Sequence, residues 1–325
     1  MLNYLPRRLF LIPLALVFIN FAAFAYTHLA LYVQQASNPY GTLAERPGVL
    51  ALYVEYAQHL LRGDFGQMPQ QGTPEPLMAG LARAAGASAG LLTLAFTLSA
   101  GLGLALGLAS VRINPTRIAP WLAPLATLGL SMPSFYIGTL FLALVVWLAL
   151  HGVKNFPLPL SGSGWDAHLI LPTLALMLRP TMQIAQVTAG LLADELDKQY
   201  VVTARSVGNT WRVIRWKHTL RNILAAVTLT IAGAFRLSLG ELVLVEWLFS
   251  WPGLGRLLAF TLIAPNIAAP GLVGGGGHYF LDATLTPALI TLFALIFLLA
   301  DALASLLVRA ADPRLRAAGE PEAAA

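Results

Sequence analysis

The chain contains no cysteine in 325 residues. Disulfides and thiolate metal sites are therefore excluded. Charge is scarce too: Asp, Glu, Lys and Arg make up 11% of the residues, where a soluble domain carries about 25%. No G-x-x-x-x-G-K-[ST] phosphate loop is present and no H-E-x-x-H spacing. The glycine run Gly274–Gly277 is followed by no lysine, so it cannot cradle a nucleotide phosphate. The six histidines are scattered, and the acids within apolar stretches (Glu241, Glu246 and Asp301) have no evident catalytic partner. These absences argue against an enzyme with its own chemistry. They predict a chain that binds no metal or cofactor itself.

What fills the chain is apolar. Hydrophobic residues reach 57% and the mean hydropathy is +0.70, which places it among polytopic membrane proteins. The net charge of +5 is then the positive-inside signal of such proteins, not a nucleic-acid arm. Six apolar runs are long enough to cross a bilayer: about 9–33, 89–111, 118–150, 169–192, 223–249 and 285–308. The first is too long for the apolar core of a secretory signal, despite the Ala23-Phe24-Ala25 triplet, and predicts an uncleaved span. Between it and the second lies an external loop, 34–87, with an amphipathic surface stretch at Val49–Leu61. Gly103-x-x-x-Gly107 lets two helix backbones approach closely, inside one chain in preference to between two. Arg112, Asn114, Pro115 and Arg117 form a tight turn. The third run exceeds a span, and Ser131-Met132-Pro133-Ser134 predicts a kink or surface segment within it. After Trp251-Pro252-Gly253-Leu254-Gly255 the stretch 256–285 reads as irregular.

One polar block breaks this pattern. Asp194 to Asn222 carries ten Asp, Glu, Lys, Arg or His residues in twenty-nine and cannot lie in hydrocarbon. Its apolar spacing gives helix, break at Gly208, helix. With the N-terminus inside, thirteen Lys and Arg fall on cytoplasmic segments, five on external ones and two, Arg179 and Arg236, within spans. This count predicts both termini and the polar block on the cytoplasmic face.

Inside that block, Tyr200-Val201-Val202-Thr203-Ala204-Arg205-Ser206-Val207-Gly208, followed by His218-Thr219-Leu220-Arg221-Asn222, resembles the signature loop of ABC-transporter permeases of the dipeptide/oligopeptide/nickel importer family. Four further stretches are similar to that family in the same order: Leu61–Gly66, Ser131–Phe135, Glu246–Gly255 and Asp312-Pro313-Arg314. The chain departs from the family pattern at Val207, where a lysine is usual, and at Ala226, where a proline is usual.

The resemblance implies an all-α polytopic membrane protein of the type I ABC importer permease fold, with six transmembrane helices and a helix-Gly-helix cytoplasmic coupling loop. It divides the chain into an N-terminal helix (1–33), the external loop (34–87), a permease core (88–314) and a C-terminal tail (315–325) expected to be disordered. It implies a second permease subunit, two cytoplasmic ATPase subunits that use ATP and Mg, and an external solute-binding protein. Tyr200, Val201, Thr203, Ala204, Arg205, Val207 and Gly208 would couple to the ATPase, with Tyr200, Val201, Ala204 and Val207 as its apolar contact. Glu246, Trp251, Pro252 and Gly253 would form an external turn or gate. Arg179, Arg236 and Glu241, costly in lipid, would sit in the pathway or in a subunit interface. Lying on lipid headgroups through Trp211 and Trp216 is the competing role for the loop, and a stand-alone secondary transporter or channel the competing function.

Overall fold

A computed structural model describes residues 4–36, 47–69, 75–113, 115–151, 158–263 and 279–311. The Gly274–Gly277 run, Asp312-Pro313-Arg314 and the tail lie outside the described residues. The chain forms helices α1 (Tyr4–Ala36), α2 (Val49–Leu61), α3 (Leu77–Ala109), α4 (Leu122–Ser131), α5 (Ser134–Leu150), α6 (Ile170–Leu196), α7 (Gln199–Ser206), α8 (Trp211–Val213), α9 (Leu220–Leu248), α10 (Leu254–Leu262) and α11 (Leu285–Ala311). One antiparallel hairpin, β1 (Val111–Ile113) with β2 (Thr116–Ile118), sets Arg112 opposite Arg117; Asn114, part of the turn expected there, lies outside the described residues. Among the described residues four helices are long and apolar enough to cross a membrane, and the bent pair α4–α5 makes a fifth candidate.

The chain divides into two compact units, one of the described residues up to Ala89 with Ser250–Leu298, the other of Gly90–Phe249 with the described residues from Leu299 onward. In the first, α2 lies along α1. Tyr56 of α2 stacks on Phe24 with ring centroids 4.9 Å apart, Tyr53 meets Phe24 edge to face at 5.4 Å, and Tyr53 donates to Asn20 at 3.3 Å. Asn20 in turn donates to Thr291 of α11 at 2.9 Å. No residue of α2 is buried, as its amphipathic spacing predicted for a surface helix. Ala23 and Phe24 are buried in mid-helix, so the signal-like triplet is a packing contact.

The second unit is built on α6. Its small residues and those of α3 face each other. A Cβ on Gly103 would lie 2.9 Å from the Thr181 carbonyl oxygen, and one on Gly107 2.8 Å from that of Ala185. The glycine pair is thus an intramolecular seam, and Ser99 bridges it by donating to Ala95 and, at 3.1 Å, to Met177. Gly129 of α4 gives room for Met182, and Gly138 of α5 for Leu248 and Phe249. At Met132-Pro133 the chain turns through 95° between α4 and α5, so the expected kink is a full corner.

Two expectations fail here. The loop placed at 34–87 ends at Pro76, because α3 begins at Leu77. Ala-rich sequence favours helix, and Arg83, which read as loop charge, is held by Glu75. Residues 256–262, within the stretch 256–285 expected to be irregular, belong to α10, whose Leu254, Gly255, Ala259 and Thr261 are buried on one side.

Candidate functional site

The polar block folds as a short arm on the ends of two long helices. α6 stops at Leu196, and Lys198, in extended conformation, begins α7. α7 ends in a left-handed cap. The Gly208 amide donates to the Arg205 carbonyl at 2.9 Å and the Asn209 amide to that of Ala204 at 3.1 Å, with Gly208 at φ +91°. This is the Schellman pattern, and it explains the glycine: a Cβ there meets no atom, but the backbone angle strains any L side chain. Thr210 then caps the next turn by accepting from the Val213 amide. Residues Ile214–Thr219 continue as a π-helical segment into α9, a geometry frequent at functional sites. Within it, the half-buried Arg215 donates to the Leu108 carbonyl at the end of α3, where a cation meets the negative end of the helix dipole. Burial holds its guanidinium below the usual value.

One carboxylate ties the arm down. Glu195, buried at the end of α6, accepts from Lys198 Nζ at 2.5 Å, Tyr200 Oη at 3.0 Å and Asn222 Nδ2 at 2.9 Å. It thereby joins the end of α6, the start of α7 and the start of α9. Burial by itself would raise its pKa; the hydrogen bonds from Lys198, Asn222 and Tyr200 outweigh burial and hold the carboxyl below its ordinary value. Beneath the arm, Val201 and Ile214 pack with Leu192, Leu196, Ile223 and Val227 in one apolar cluster.

The expected coupling residues therefore separate. Val201 is 2% exposed and Tyr200 turns to Glu195, so both belong to the arm's footing and not to an outward apolar contact. Ala204 is half-buried against the same cluster. The outward face is Val202 (68% exposed), Val207 (77% exposed), Thr203, Arg205 and Ser206. Arg205 lies over the Trp211 ring at 4.6 Å and donates to the Asn209 carbonyl, fastening the two halves of the arm.

The residues expected at an external turn are mostly interior. Trp251 is 2% exposed and donates from Nε1 to the Ala87 carbonyl at 3.1 Å. The Leu254 amide, next to buried Gly253, donates to Ser88 Oγ at 2.8 Å. Ser250 takes a left-handed φ of 56°, and its carbonyl accepts from Arg256. Only Pro252 is exposed. Glu246, grouped with that turn, is fully buried.

Four in-span charges form two pairs. Arg179 of α6 donates to Glu241 of α9, which also accepts from Ser134, the first residue of α5. Arg236 of α9 donates to Asp301 of α11 at 2.5 Å. Five positions apart, Arg236 and Glu241 take different partners, as helical geometry requires.

A helical chain with several membrane-length helices and a polar arm anchored on two of them defines a multi-pass membrane component. Residues 99–317 match the binding-protein-dependent transport system inner membrane component family. The chain belongs to that family: it is an inner-membrane, multi-pass permease subunit of an ABC importer. A Brucella abortus (strain 2308) protein named for a peptide transport system permease is 30% identical over 248 residues, covering 74% of this chain and 73% of that one. The dipeptide transport system permease protein DppB of Lactococcus lactis subsp. cremoris (strain MG1363) is 32% identical over 66% of this chain and 68% of its own. The glutathione transport system permease protein GsiC of Salmonella choleraesuis (strain SC-B67) is 29% identical over 97% and 99%. Family membership favours the importer over a stand-alone carrier.

Proposed function

We propose that this permease forms half of the pathway for peptides or a related small solute, delivered by an external binding protein, and that the arm from Asp194 to Asn222 docks on a cytoplasmic ATPase. The names of its relatives support the peptide class. The observation that carries the docking role is the arm itself. α7 exposes Val202, Thr203, Arg205, Ser206 and Val207 on a rigid turn, while Glu195 fixes its root to both α6 and α9. A rigid lever rooted on two long helices can convert motion of a soluble partner into movement of the pathway. ATP and Mg belong to the two ATPase subunits; this chain binds no cofactor, and a second, related permease completes the pathway. Six crossings with both termini inside fit the charge count, with α5 as the third crossing and α6 as the fourth. α6 carries Arg179, Gln183 and Gln186 along its length and is less apolar than the other crossings.

The test is a reconstituted complex of both permeases, ATPases and binding protein. Gly208→Trp or Arg205→Glu should leave the complex assembled yet lower uptake per ATP hydrolysed at least tenfold. Normal uptake by both variants would refute the docking role.

A further inference from the structure

Charges within membrane helices are costly and are retained where they act. The Arg179 cluster has a feature that ion pairing alone does not account for. Its guanidinium and the Ser134 hydroxyl, from α6 and α5, hold a single carboxylate that α9 supplies. Arg179 Nε is buried with no hydrogen-bond partner among the described residues, and so is Gln183 Oε1, one turn further along α6. Buried polar atoms without partners are uncommon and call for an explanation. The cluster is also not sealed: the side chains of Arg179 and Glu241 are 28% and 12% exposed. The geometry is that of a carboxylate-binding site whose occupant is tethered to the protein and whose recognition is incomplete.

We infer that Arg179 and Ser134 form a carboxylate-recognition site in the pathway, that Glu241 fills it at rest, and that the terminal carboxylate of a peptide substrate takes its place. This rests on the proposed peptide pathway. The exchange fits a zwitterion. The incoming carboxylate pairs with Arg179, using two guanidinium donors where Glu241 uses one. The released Glu241 pairs with the substrate ammonium. Net charge in the low-dielectric site is unchanged, and no ion is left bare. Substrate entry would also remove the link that Glu241 makes from α9 to α5 and α6, so that occupancy itself loosens the helices that must move. A substrate lacking its carboxylate has nothing to offer Arg179.

The experiment uses the whole reconstituted complex and has two arms. In the first, Glu241→Ala empties the site, and acetate serves as the probe. Acetate should raise the melting temperature of the Glu241→Ala complex by about 2–4 °C over chloride of equal ionic strength. It should do nothing to the Arg179→Gln/Glu241→Ala complex. A shift that chloride reproduces, or none, overturns the site. The second arm needs no variant for its first reading. With the binding protein saturated, Ala-Ala should be taken up at least five times faster at its maximal rate than Ala-Ala amide. Arg179→Lys, a charge without the guanidinium fork, should keep part of that preference and Arg179→Gln should abolish it. Equal maximal rates in the wild type, or an Arg179→Gln complex that slows both ligands alike, overturn the ligand assignment. Uptake of neither compound would sink the peptide reading and the peptide ligand with it, while the acetate arm still decides whether the site exists.

Discussion

Replacing Glu195 should free the docking arm without unfolding the permease. Its carboxylate receives three hydrogen bonds, one from a lysine. A hydrogen bond to a charged group contributes about 1.5–3 kcal/mol net, less where the orphaned donor reaches water. Lys198 and Asn222 are exposed and can do so; Tyr200 is half-buried, and the Asn222 Nδ2 that lies 3.4 Å from its oxygen donates to it and cannot replace Glu195 as acceptor. The loss is therefore well below three full bonds. Glu195→Gln, which keeps an acceptor but loses the charge, should cost about 1.5 kcal/mol, and Glu195→Leu about 3 kcal/mol. These translate into roughly tenfold and 150-fold more frequent opening of α7. Hydrogen exchange of the α7 amides in nanodiscs measures that directly, with the α6 amides from Leu176 to Leu192 as the internal reference. The pH dependence has a defined sign. A carboxyl depressed in the folded state contributes fully above its unfolded value and loses that contribution as pH falls through the folded value. Protection of α7 should thus be flat near neutrality and decline below about pH 4.5, and Glu195→Gln should abolish the decline. Unchanged α7 protection in Glu195→Leu would refute the account of this carboxylate as the root of the arm.

Other perturbations separate mechanisms that look alike. Gly208→Ala should destabilise the arm by about 1 kcal/mol through backbone strain alone, since its Cβ meets nothing, and should show as a small rise in α7 exchange. Gly107→Val should part α3 from α6 against the Ala185 carbonyl and Thr188, costing at least the 1–3 kcal/mol of ordinary overpacking and lowering the melting temperature of the purified permease. Arg236→Ala and Asp301→Ala should each impair insertion or yield more than the double variant does, because a single change leaves one charge unpaired at membrane depth; membrane-fraction yield checks this.

Much of this architecture was legible because its causes are local. Runs of apolar residues, Pro133 at the corner, the amphipathic spacing of Val49–Leu61 and the glycine ending α7 each act within a few positions. The start of α3 was missed because Arg83 and Glu75 resemble loop charges until they are seen to pair. The footing of the arm was missed for the opposite reason. Glu195 and Asn222 meet across 27 positions, Arg179 and Glu241 across 62, Arg236 and Asp301 across 65. No periodicity reports such pairs. Val201 and Val202 are adjacent and equally apolar; only the packing of Leu196 and Ile223 against one of them decides which faces inward.

The corner between α4 and α5 bears on the lipid as well as on the protein. Ten residues give α4 a length of about 15 Å, and seventeen give α5 about 26 Å. Neither matches a hydrocarbon layer of about 30 Å, whereas α3, α9 and α11 exceed it. α5 therefore falls short of the layer, a mismatch opposite in sign to that of the longer helices, which can tilt to fit. Acyl chains beside α5 must shorten or disorder to meet it, at fractions of a kcal/mol per Å. Transport by this subunit should accordingly favour short-chain lipids, making membrane composition a control on import.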